Sequence, residues 1–151
     1  MNRISKDEYY LNIALDVSKR STCLRRHYGC VIVNNDEIVA TGYNGSPRGC
    51  ENCCDRGKCK RENAERYHGY EECDSVHAEQ NALISAGRNR CIGGTIYLAC
   101  ETLKELKFPY AAVEYEWVED KNPVPCNICE KMIRNSGIRR VANKSGEVLC
   151  L

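Results

Sequence analysis

Two short motifs, far apart in the chain, carry residue types that can hold a metal ion and move a proton. The first is H-A-E at residues 77–79, and the second is P-C-N-I-C at residues 125–129. The imidazole of His77 and the thiolates of Cys126 and Cys129 suit a tetrahedral zinc ion that keeps its fourth position open. Glu79 adds a carboxylate beside that position, where it can take a proton from a water molecule. The motifs therefore predict a catalytic zinc site with Glu79 as its proton carrier.

Each motif alone has a simpler interpretation. C-x-x-C could be half of a structural zinc site or a redox pair, and H-A-E could begin an ordinary helix. Both motifs, however, lie at predicted helix starts, and two helix N-termini directed at one ion would stabilise its anionic ligands. Their order and position together favour the catalytic interpretation.

The elements that must position these motifs follow from the hydrophobic pattern. A capping box at residues 5–8 predicts a helix that turns Tyr9, Ile13, Ala14 and Val17 toward a core. The motif helices are expected at about 77–86 and 126–135. Strands are predicted at residues 29–33, 38–42, 95–99, 138–142 and 147–151, with a turn at 34–36 joining the first two into a hairpin. This alternation predicts a mixed sheet flanked by helices.

Bulk properties exclude several classes of protein. The 151 residues suffice for one domain, and 42% hydrophobic and 28% charged residues are ordinary for a globular chain. A net charge of +1 gives no general field that would attract nucleic acid. Neither a secretory signal nor a membrane-spanning stretch is recognisable, so we expect a cytoplasmic protein without nucleic-acid or membrane partners.

The cysteine content indicates metal binding. The chain has 12 cysteines, and in a reducing compartment such a number indicates metal ligands or reactive thiols rather than disulfides. Several are clustered in a polar, glycine-rich segment at about residues 48–75, which is predicted to be a loop. Cys30 and Cys100 lie in or beside strand-like runs and are interpreted as small core residues.

Further motifs place the chain near a known family. They are S-T-C-L-R-R at residues 21–26, G-Y-N-G-S-P at 42–47 and H-A-E-Q-N-A at 77–82. Together with P-C-x-x-C this set resembles the deoxycytidylate (dCMP) deaminase family of the zinc-dependent cytidine and deoxycytidylate deaminases. The resemblance implies an α/β fold, a three-layer α-β-α sandwich with a mixed five-stranded sheet. It also implies a zinc hydrolase acting on C–N bonds of cyclic amidines, which converts dCMP to dUMP and so supplies thymidylate synthesis.

The resemblance also implies where a nucleotide would bind. Asn44 would line the pocket and hydrogen-bond the nucleotide at its sugar. The phosphate needs donors, and the local candidates are Ser21, Thr22, Arg25 and Arg26, since hydroxyls and guanidinium groups suit phosphate oxygens. For each arginine, a solvated helix end is the competing interpretation.

A second, structural zinc is implied by some members of the family. Its ligands here would be four thiolates, those of Cys23, Cys53, Cys59 and Cys73. Three other residues compete for the same role, namely Cys50, Cys54 and His68. The physical reason for such an ion is that a long polar loop cannot be held together by burial alone.

The chain departs from the family pattern at about residues 101–123, an insertion between the third strand and P-C-x-x-C. Residues 112–119 alternate like a strand and include the only tryptophan, Trp117. The insertion could be a β-hairpin that caps the active site, a contact between subunits, or a surface excursion that packs Trp117 onto the domain. The short segment after residue 142 leaves room for one turn and one strand.

Several functions remain open at this point. Deamination of dCMP competes with deamination of a tRNA adenosine, a free nucleoside or a riboflavin precursor, although no basic face favours tRNA. A zinc-stabilised nucleotide-binding module is the alternative outside catalysis, and Glu79 argues against it. By resemblance, a homo-oligomer such as a hexamer is expected, activated by dCTP with Mg²⁺ and inhibited by dTTP.

Overall fold

A mixed β-sheet organises the residues that the computed structural model describes, which are 1–65, 68–106 and 113–151. The strands are β1 (Arg26–Asn34), β2 (Glu37–Tyr43), β3 (Thr95–Leu106), β4 (Glu114–Asp120), β5 (Arg140–Asn143) and β6 (Gly146–Cys150). Five of them run in the order β2-β1-β3-β5-β6, and the β3–β5 pair is parallel while the other pairs are antiparallel. The prediction of a mixed five-stranded sheet is thus confirmed, with β4 as an additional strand on the second half of β3.

Helices cover both faces of the sheet. They are α1 (Lys6–Ser18), α2 (Cys53–Arg56), α3 (Ala78–Ala86), α4 (Arg88–Cys91) and α5 (Asn127–Asn135). One apolar core lies between α1 and the sheet, and a second, larger core lies between the sheet and α3 with α5. This arrangement confirms the predicted three-layer sandwich. Among the described residues, no helix combines the length and apolar character needed to cross a membrane.

A tight hairpin joins β1 and β2. Its two loop residues, Asn35 and Asp36, have φ angles of 50° and 62°. Positive φ at both positions of a two-residue loop is the geometry that matches the right-handed twist of the flanking strands, and Asn and Asp tolerate it well. The predicted turn is therefore found where the sequence placed it.

Two glycines allow the helices to approach the sheet closely. A Cβ on Gly29 would lie 1.9 Å from the carbonyl oxygen of Ala14 in α1, and a Cβ on Gly42 would lie 2.3 Å from that of Ala78 in α3. The first contact sets α1 against one face and the second sets α3 against the other. Gly42 thereby fixes the height of α3, which carries the H-A-E motif, above β2.

The face of α1 differs from the prediction at one residue, Tyr9, since Ile13, Ala14 and Val17 pack toward the core as predicted. Tyr10, Leu11 and Ala14 are buried, whereas Tyr9 is 49% exposed. The pattern allowed either of the adjacent tyrosines to face the core. Tyr10 does so, and its hydroxyl donates a hydrogen bond to Asp36 Oδ1 at 2.7 Å. The predicted cap is present, since Ser5 Oγ accepts a hydrogen bond from the Glu8 amide at 3.1 Å.

The two irregular segments differ in structure. The cysteine-rich segment contains α2 and one 3₁₀ turn, Tyr70–Glu72, and is otherwise loop within the described residues. The insertion is a β-hairpin, because β3 continues to Leu106 and β4 pairs back on it. The strand predicted at 112–119 is confirmed from residue 114 onward, while residue 112 lies outside the described part of the chain.

Candidate active site

The three predicted metal ligands converge on one point. Cys126 Sγ lies 3.5 Å and Cys129 Sγ lies 3.3 Å from His77 Nδ1. Among the described residues, these three form the one group of histidine, cysteine or acidic side chains that could share a metal ion, with all ligand atoms within 4.8 Å of one another. The distant motifs of the sequence thus meet at a single site.

The spacing between these atoms fits zinc. With Zn–S near 2.3 Å and Zn–N near 2.0 Å, a tetrahedral ion separates a sulfur from a nitrogen ligand by about 3.5 Å. The two sulfur–nitrogen distances, 3.5 and 3.3 Å, are close to that value. One nitrogen and two sulfur ligands also leave the fourth position for water or substrate.

Two helix starts position the ligands. His77 is the N-cap of α3, and its amide donates to Gln80 Oε1 at 2.8 Å, as in a capping box. Cys126 is the N-cap of α5, where its sulfur accepts from the Cys129 amide at 3.5 Å. The first-turn amides of both helices therefore favour negative charge at the site.

Glu79 lies at the same point, in the first turn of α3. It is only 4% exposed, and Cys129 Sγ is 3.7 Å from its Oε2 atom. Burial raises the pKa of the Glu79 carboxyl, and burial together with Glu79 and Cys126 raises that of the Cys129 thiol. A divalent metal ion beside them would lower the pKa of both groups.

A cavity of about 660 Å³ opens beside Glu79 and His77. Asn44, Arg25 and Arg26 line it, as the sequence predicts. The side chain of Asn44 is also tied to β1, because its Oδ1 accepts from the Tyr28 amide at 2.8 Å and its Nδ2 donates to the Arg26 carbonyl at 3.0 Å. Asn44 therefore fixes the end of β1 as well as forming part of the cavity wall.

Ser21 and Thr22 are placed behind this wall rather than among the lining residues. Ser21 Oγ donates to the Asn44 carbonyl at 2.9 Å and accepts from the Cys23 amide at 3.2 Å. Thr22 Oγ1 is buried against Gly45, 2.6 Å from where a Cβ on that glycine would lie. Their direct contact with a ligand stays a prediction, and of the four predicted phosphate contacts only Arg25 and Arg26 line the cavity.

Several residues of the cavity wall are missing from the sequence prediction, and three of them carry large side chains with polar groups. Tyr28, Arg61 and Tyr70 all line the cavity. The guanidinium carbon of Arg61 lies 3.7 Å from the centre of the Tyr70 ring, and its Nη2 donates to the His68 carbonyl at 3.0 Å. The position of Tyr28 could have been inferred, because it lies two residues from Cys30 on β1 and so faces the same side of the sheet. The position of Arg61 could not, because the loop around it has no hydrophobic periodicity.

The four cysteines proposed for a second metal lie close together. Burial raises the pKa of the Cys53 thiol, and the thiols of Cys23, Cys59 and Cys73 are near enough to raise it further. Arg56 Nη2 lies 3.4 Å from Cys53 Sγ and lowers this pKa. The thiols of Cys23, Cys59 and Cys73 are near that of Cys53, but the four are more widely spaced than the ligands at His77, since the described residues give no second group within 4.8 Å.

Comparison with known proteins agrees with this geometry. The family described as the cytidine and deoxycytidylate deaminase zinc-binding region matches residues 4–144. The chain is 38% identical over 141 residues to deoxycytidylate deaminase of Schizosaccharomyces pombe, covering 92% of this chain and 37% of that protein. It is 33% identical over 148 residues to deoxycytidylate deaminase of Mycobacterium phage D29, covering 93% of this chain and 95% of that one.

Two of the relatives are much longer than this chain, and one solved structure shares its fold. The chain spans 37% and 31% of the length of the two yeast deoxycytidylate deaminases, those of Schizosaccharomyces pombe and Saccharomyces cerevisiae. The crystal structure of dCMP deaminase from the cyanophage S-TIM5, in complex with dCMP and dUMP, superposes with a TM-score of 0.59 at 24% identity, covering 93% of this chain and 82% of that one. At that identity the superposition establishes a shared fold.

Proposed function

The chain belongs to the family of the cytidine and deoxycytidylate deaminase zinc-binding region, and from this membership we propose that it hydrolyses dCMP to dUMP and ammonia. The proposal treats residues 1–151 as one deaminase domain. One observation carries it: His77, Cys126, Cys129 and the buried Glu79 meet at the wall of a cavity that also contains arginines. Metal ligands, a proton carrier and cations for a phosphate are thereby assembled around one space.

The chemistry divides between a metal and the protein. Held by His77, Cys126 and Cys129, zinc would supply the Lewis acidity that makes a water molecule nucleophilic near neutral pH. The Glu79 carboxylate takes one proton of that water and delivers it to N3 of the cytosine ring. It then takes the second proton, from the hydroxyl now bonded to C4, and delivers it to the departing amine. The water oxygen replaces the amine at C4, and ammonia leaves. Burial of Glu79 keeps bulk water away from these transfers.

Recognition of the nucleotide would come from the rest of the cavity wall. Asn44, held rigidly against β1, offers its remaining amide hydrogen to the sugar. Arg25, Arg26 and Arg61 are the cations of the wall, and guanidinium groups bind phosphate oxygens in bidentate fashion. A monophosphate would therefore bind more tightly than the corresponding nucleoside.

A substrate panel tests this function. Ammonia release is measured with the zinc-loaded protein and dCMP, deoxycytidine, cytidine or dCTP. We expect dCMP to give the highest kcat/KM, with deoxycytidine far lower. Ammonia release from none of the four, with zinc bound, would refute the deaminase and favour a nucleotide-binding module; preference for a nucleoside would refute the role of the arginines.

We also propose a second, structural zinc held by Cys23, Cys53, Cys59 and Cys73. The proximity of the four thiols supports it, because four neighbouring thiols would repel one another as thiolates unless a cation joined them. Native mass spectrometry should count two zinc ions per chain, and Cys59→Ser should retain one. A count of one in the unaltered protein would refute this site.

Regulation, assembly and location complete the proposal and depend on the family resemblance. A homo-oligomer, up to a hexamer, activated by dCTP with Mg²⁺ and inhibited by dTTP, is expected in the cytoplasm. Analytical ultracentrifugation together with activity measured with and without each effector tests these points. A monomer whose activity responds to neither triphosphate would contradict them.

A further inference from the structure

The β-hairpin formed by residues 101–106 of β3 and by β4, here named the backing hairpin, lies against the segment that supplies two arginines to the cavity. That segment comprises residues 23–27, between the end of α1 and the body of β1. The backing hairpin corresponds to the insertion for which the sequence left three alternatives open. Its contacts with residues 23–27 give it a role.

Backbone pairing makes the first of these contacts. Arg26 and His27 pair with Thr102 and Glu101 across the β1–β3 ladder. Just beyond the ladder, the Leu103 amide donates to the Arg25 carbonyl at 3.1 Å. The β3 half of the hairpin thus fixes the main chain of both arginines.

Side chains make the second contact. The rings of His27 and Trp117 stack with centroids 3.5 Å apart and planes 17° apart. His27 Nε2 is 3.0 Å from the Cys23 carbonyl, so the ring also closes the turn that contains Arg25. Its Nδ1 lies 3.7 Å from Glu101 Oε2, and the side chains of His27 and Glu101 are only 14% and 16% exposed. Trp117 therefore clamps the ring that spans residues 23–27.

Strand geometry separates the two sides of this arrangement. Successive side chains of a strand point to opposite faces, so Arg26 and His27 face opposite sides of the sheet. Arg26 lines the cavity, whereas His27 and Trp117 are outside it. Trp117 consequently reaches the cavity only through the segment it supports.

We propose that Trp117 is a positioning residue that holds Arg25 and Arg26 in place for the phosphate of the nucleotide. The inference rests on the proposed function, since it presumes a monophosphate in this cavity. A fixed backbone lowers the cost of ordering the arginine side chains on binding. Loss of the stack should weaken phosphate binding and leave the chemistry at Glu79 unchanged.

The central experiment compares Trp117→Ala with Tyr115→Ala, using dCMP and deoxycytidine as substrates. Tyr115 lies on the same strand and the same face, is 63% exposed, and is not among the described residues that line the cavity, so it is the matched control. For Trp117→Ala we expect KM for dCMP to rise about five- to tenfold, the equivalent of losing one stacked aromatic pair. Its kcat, and kcat/KM for deoxycytidine, should stay within about twofold of the values of the Tyr115→Ala control.

Two further variants keep the test decisive. Trp117→Phe retains an aromatic face and should restore the KM for dCMP. Trp117→Leu retains apolar bulk without a π-face, and it replaces Trp117→Ala if that variant does not fold. Calorimetric titration with dUMP, which requires no turnover, should show the same loss of affinity as KM.

The outcomes separate this inference from the proposed function. If the unaltered protein releases no ammonia from either substrate, the proposed function fails. If it deaminates dCMP and Trp117→Ala leaves KM unchanged, the positioning role alone is wrong. A fall in kcat that is equal for dCMP and deoxycytidine would also overturn it, because that result would indicate a general structural role.

Discussion

Glu79 is buried beside three metal-binding side chains, and that environment determines what it can do. A carboxyl group with 4% exposure gains little from solvent, so its proton affinity depends on the neighbouring charges. We predict that Glu79→Gln retains zinc and fold but lowers kcat by about 10²- to 10⁴-fold, because the amide cannot carry the proton. Ammonia release under saturating dCMP measures the loss.

The control for this substitution is Glu71→Gln, an exposed glutamate of the 3₁₀ turn in the cysteine-rich segment. It removes one carboxylate from the same domain without touching the site. Zinc content by mass spectrometry and the far-ultraviolet circular dichroism spectrum should be equal in both variants. Turnover of Glu79→Gln near that of the control would contradict the proton-carrier role.

Arg61 lines the cavity, although the sequence did not predict this position. Its guanidinium group packs on Tyr70 and donates to the His68 carbonyl, so the side chain is already ordered before a ligand arrives. We predict that Arg61→Ala raises KM for dCMP about tenfold, the cost of one charge-assisted contact, while kcat changes little. Steady-state kinetics with dCMP provides the measurement.

Lys58→Ala is the matched control for Arg61. Lys58 is an exposed cation of the same segment and lies in a neighbouring depression outside the cavity. If the two variants raise the KM for dCMP equally, Arg61 acts through its positive charge in general and not through a direct contact with the phosphate. Deoxycytidine, which lacks the phosphate, should respond to neither substitution.

The contrast between Glu79 and Arg61 shows what the sequence could reveal at this scale. The place of Glu79 was predictable because a metal requires particular ligand atoms at fixed spacings, which H-x-E and C-x-x-C provide on two helix starts. Glu79 lies two residues from one of these ligands, His77. Arg61 was not, since its place in the cavity depends on the path of a loop without hydrophobic periodicity. Tyr9 and Tyr10 illustrate an intermediate case, in which the pattern predicted the helix but chose the wrong tyrosine for the core.

Helix α3, which carries the H-A-E motif, lies close to β2. A Cβ on Gly42 would meet the Ala78 carbonyl oxygen at 2.3 Å and the Ala82 amide nitrogen at 2.5 Å, both backbone atoms of α3. Gly42→Ala should therefore push away the helix that begins at His77. We predict a loss of about 1–3 kcal/mol in the free energy of unfolding, as for overpacked cores, and weaker zinc binding. Urea unfolding and a competitive zinc chelator measure the two effects.

Thr41→Ala controls for the general cost of altering β2. Thr41 is exposed and adjacent to Gly42, and the substitution removes atoms where Gly42→Ala adds one. The strand itself was predictable from alternating residues 38–42, but the closeness of α3 was not, since a glycine in a strand has several explanations. Equal zinc affinity in both variants would mean that α3 accommodates the extra carbon without moving its ligands.

For the insertion, the sequence predicted a strand but not its packing partner. Alternation around Trp117 indicated a strand, and the strand exists as β4. The pattern could not say what the strand packs against, because its partner His27 is far away in sequence and belongs to a different strand. Tertiary contact, not local propensity, distinguishes a surface excursion from a support for the cavity.

A network of side chains at the end of the sheet away from the cavity joins α1 to three strands. Asp7 of α1 accepts from Tyr97 of β3 at 2.8 Å and from Arg140 Nη1 of β5 at 3.0 Å, and Arg140 Nε donates to Glu147 of β6 at 2.7 Å. One helix and three strands thus share a single hydrogen-bonded cluster. Double-mutant cycles would measure its coupling energies.

This network predicts how stability depends on pH. Hydrogen bonds from Arg140 lower the pKa of Asp7, and burial with the Asp7 hydrogen bond raises that of Tyr97 to about 12. A carboxyl whose pKa is lower in the folded than in the unfolded chain stabilises the fold above its unfolded pKa of about 3.9. That contribution is lost as pH falls through the folded pKa. Stability should therefore decline below about pH 4, in part because of Asp7.

Asp7→Asn tests this prediction against Asp16→Asn, which removes an exposed carboxylate from the same helix. Loss of zinc at low pH affects both variants equally, so the difference between their unfolding free energies isolates Asp7. We expect Asp7→Asn to be less stable than Asp16→Asn at pH 7, and the two to converge as the pH falls through the folded pKa of Asp7. A constant difference over this range would show that Asp7 contributes through packing and not through its charge, since only the charged form gains from Arg140.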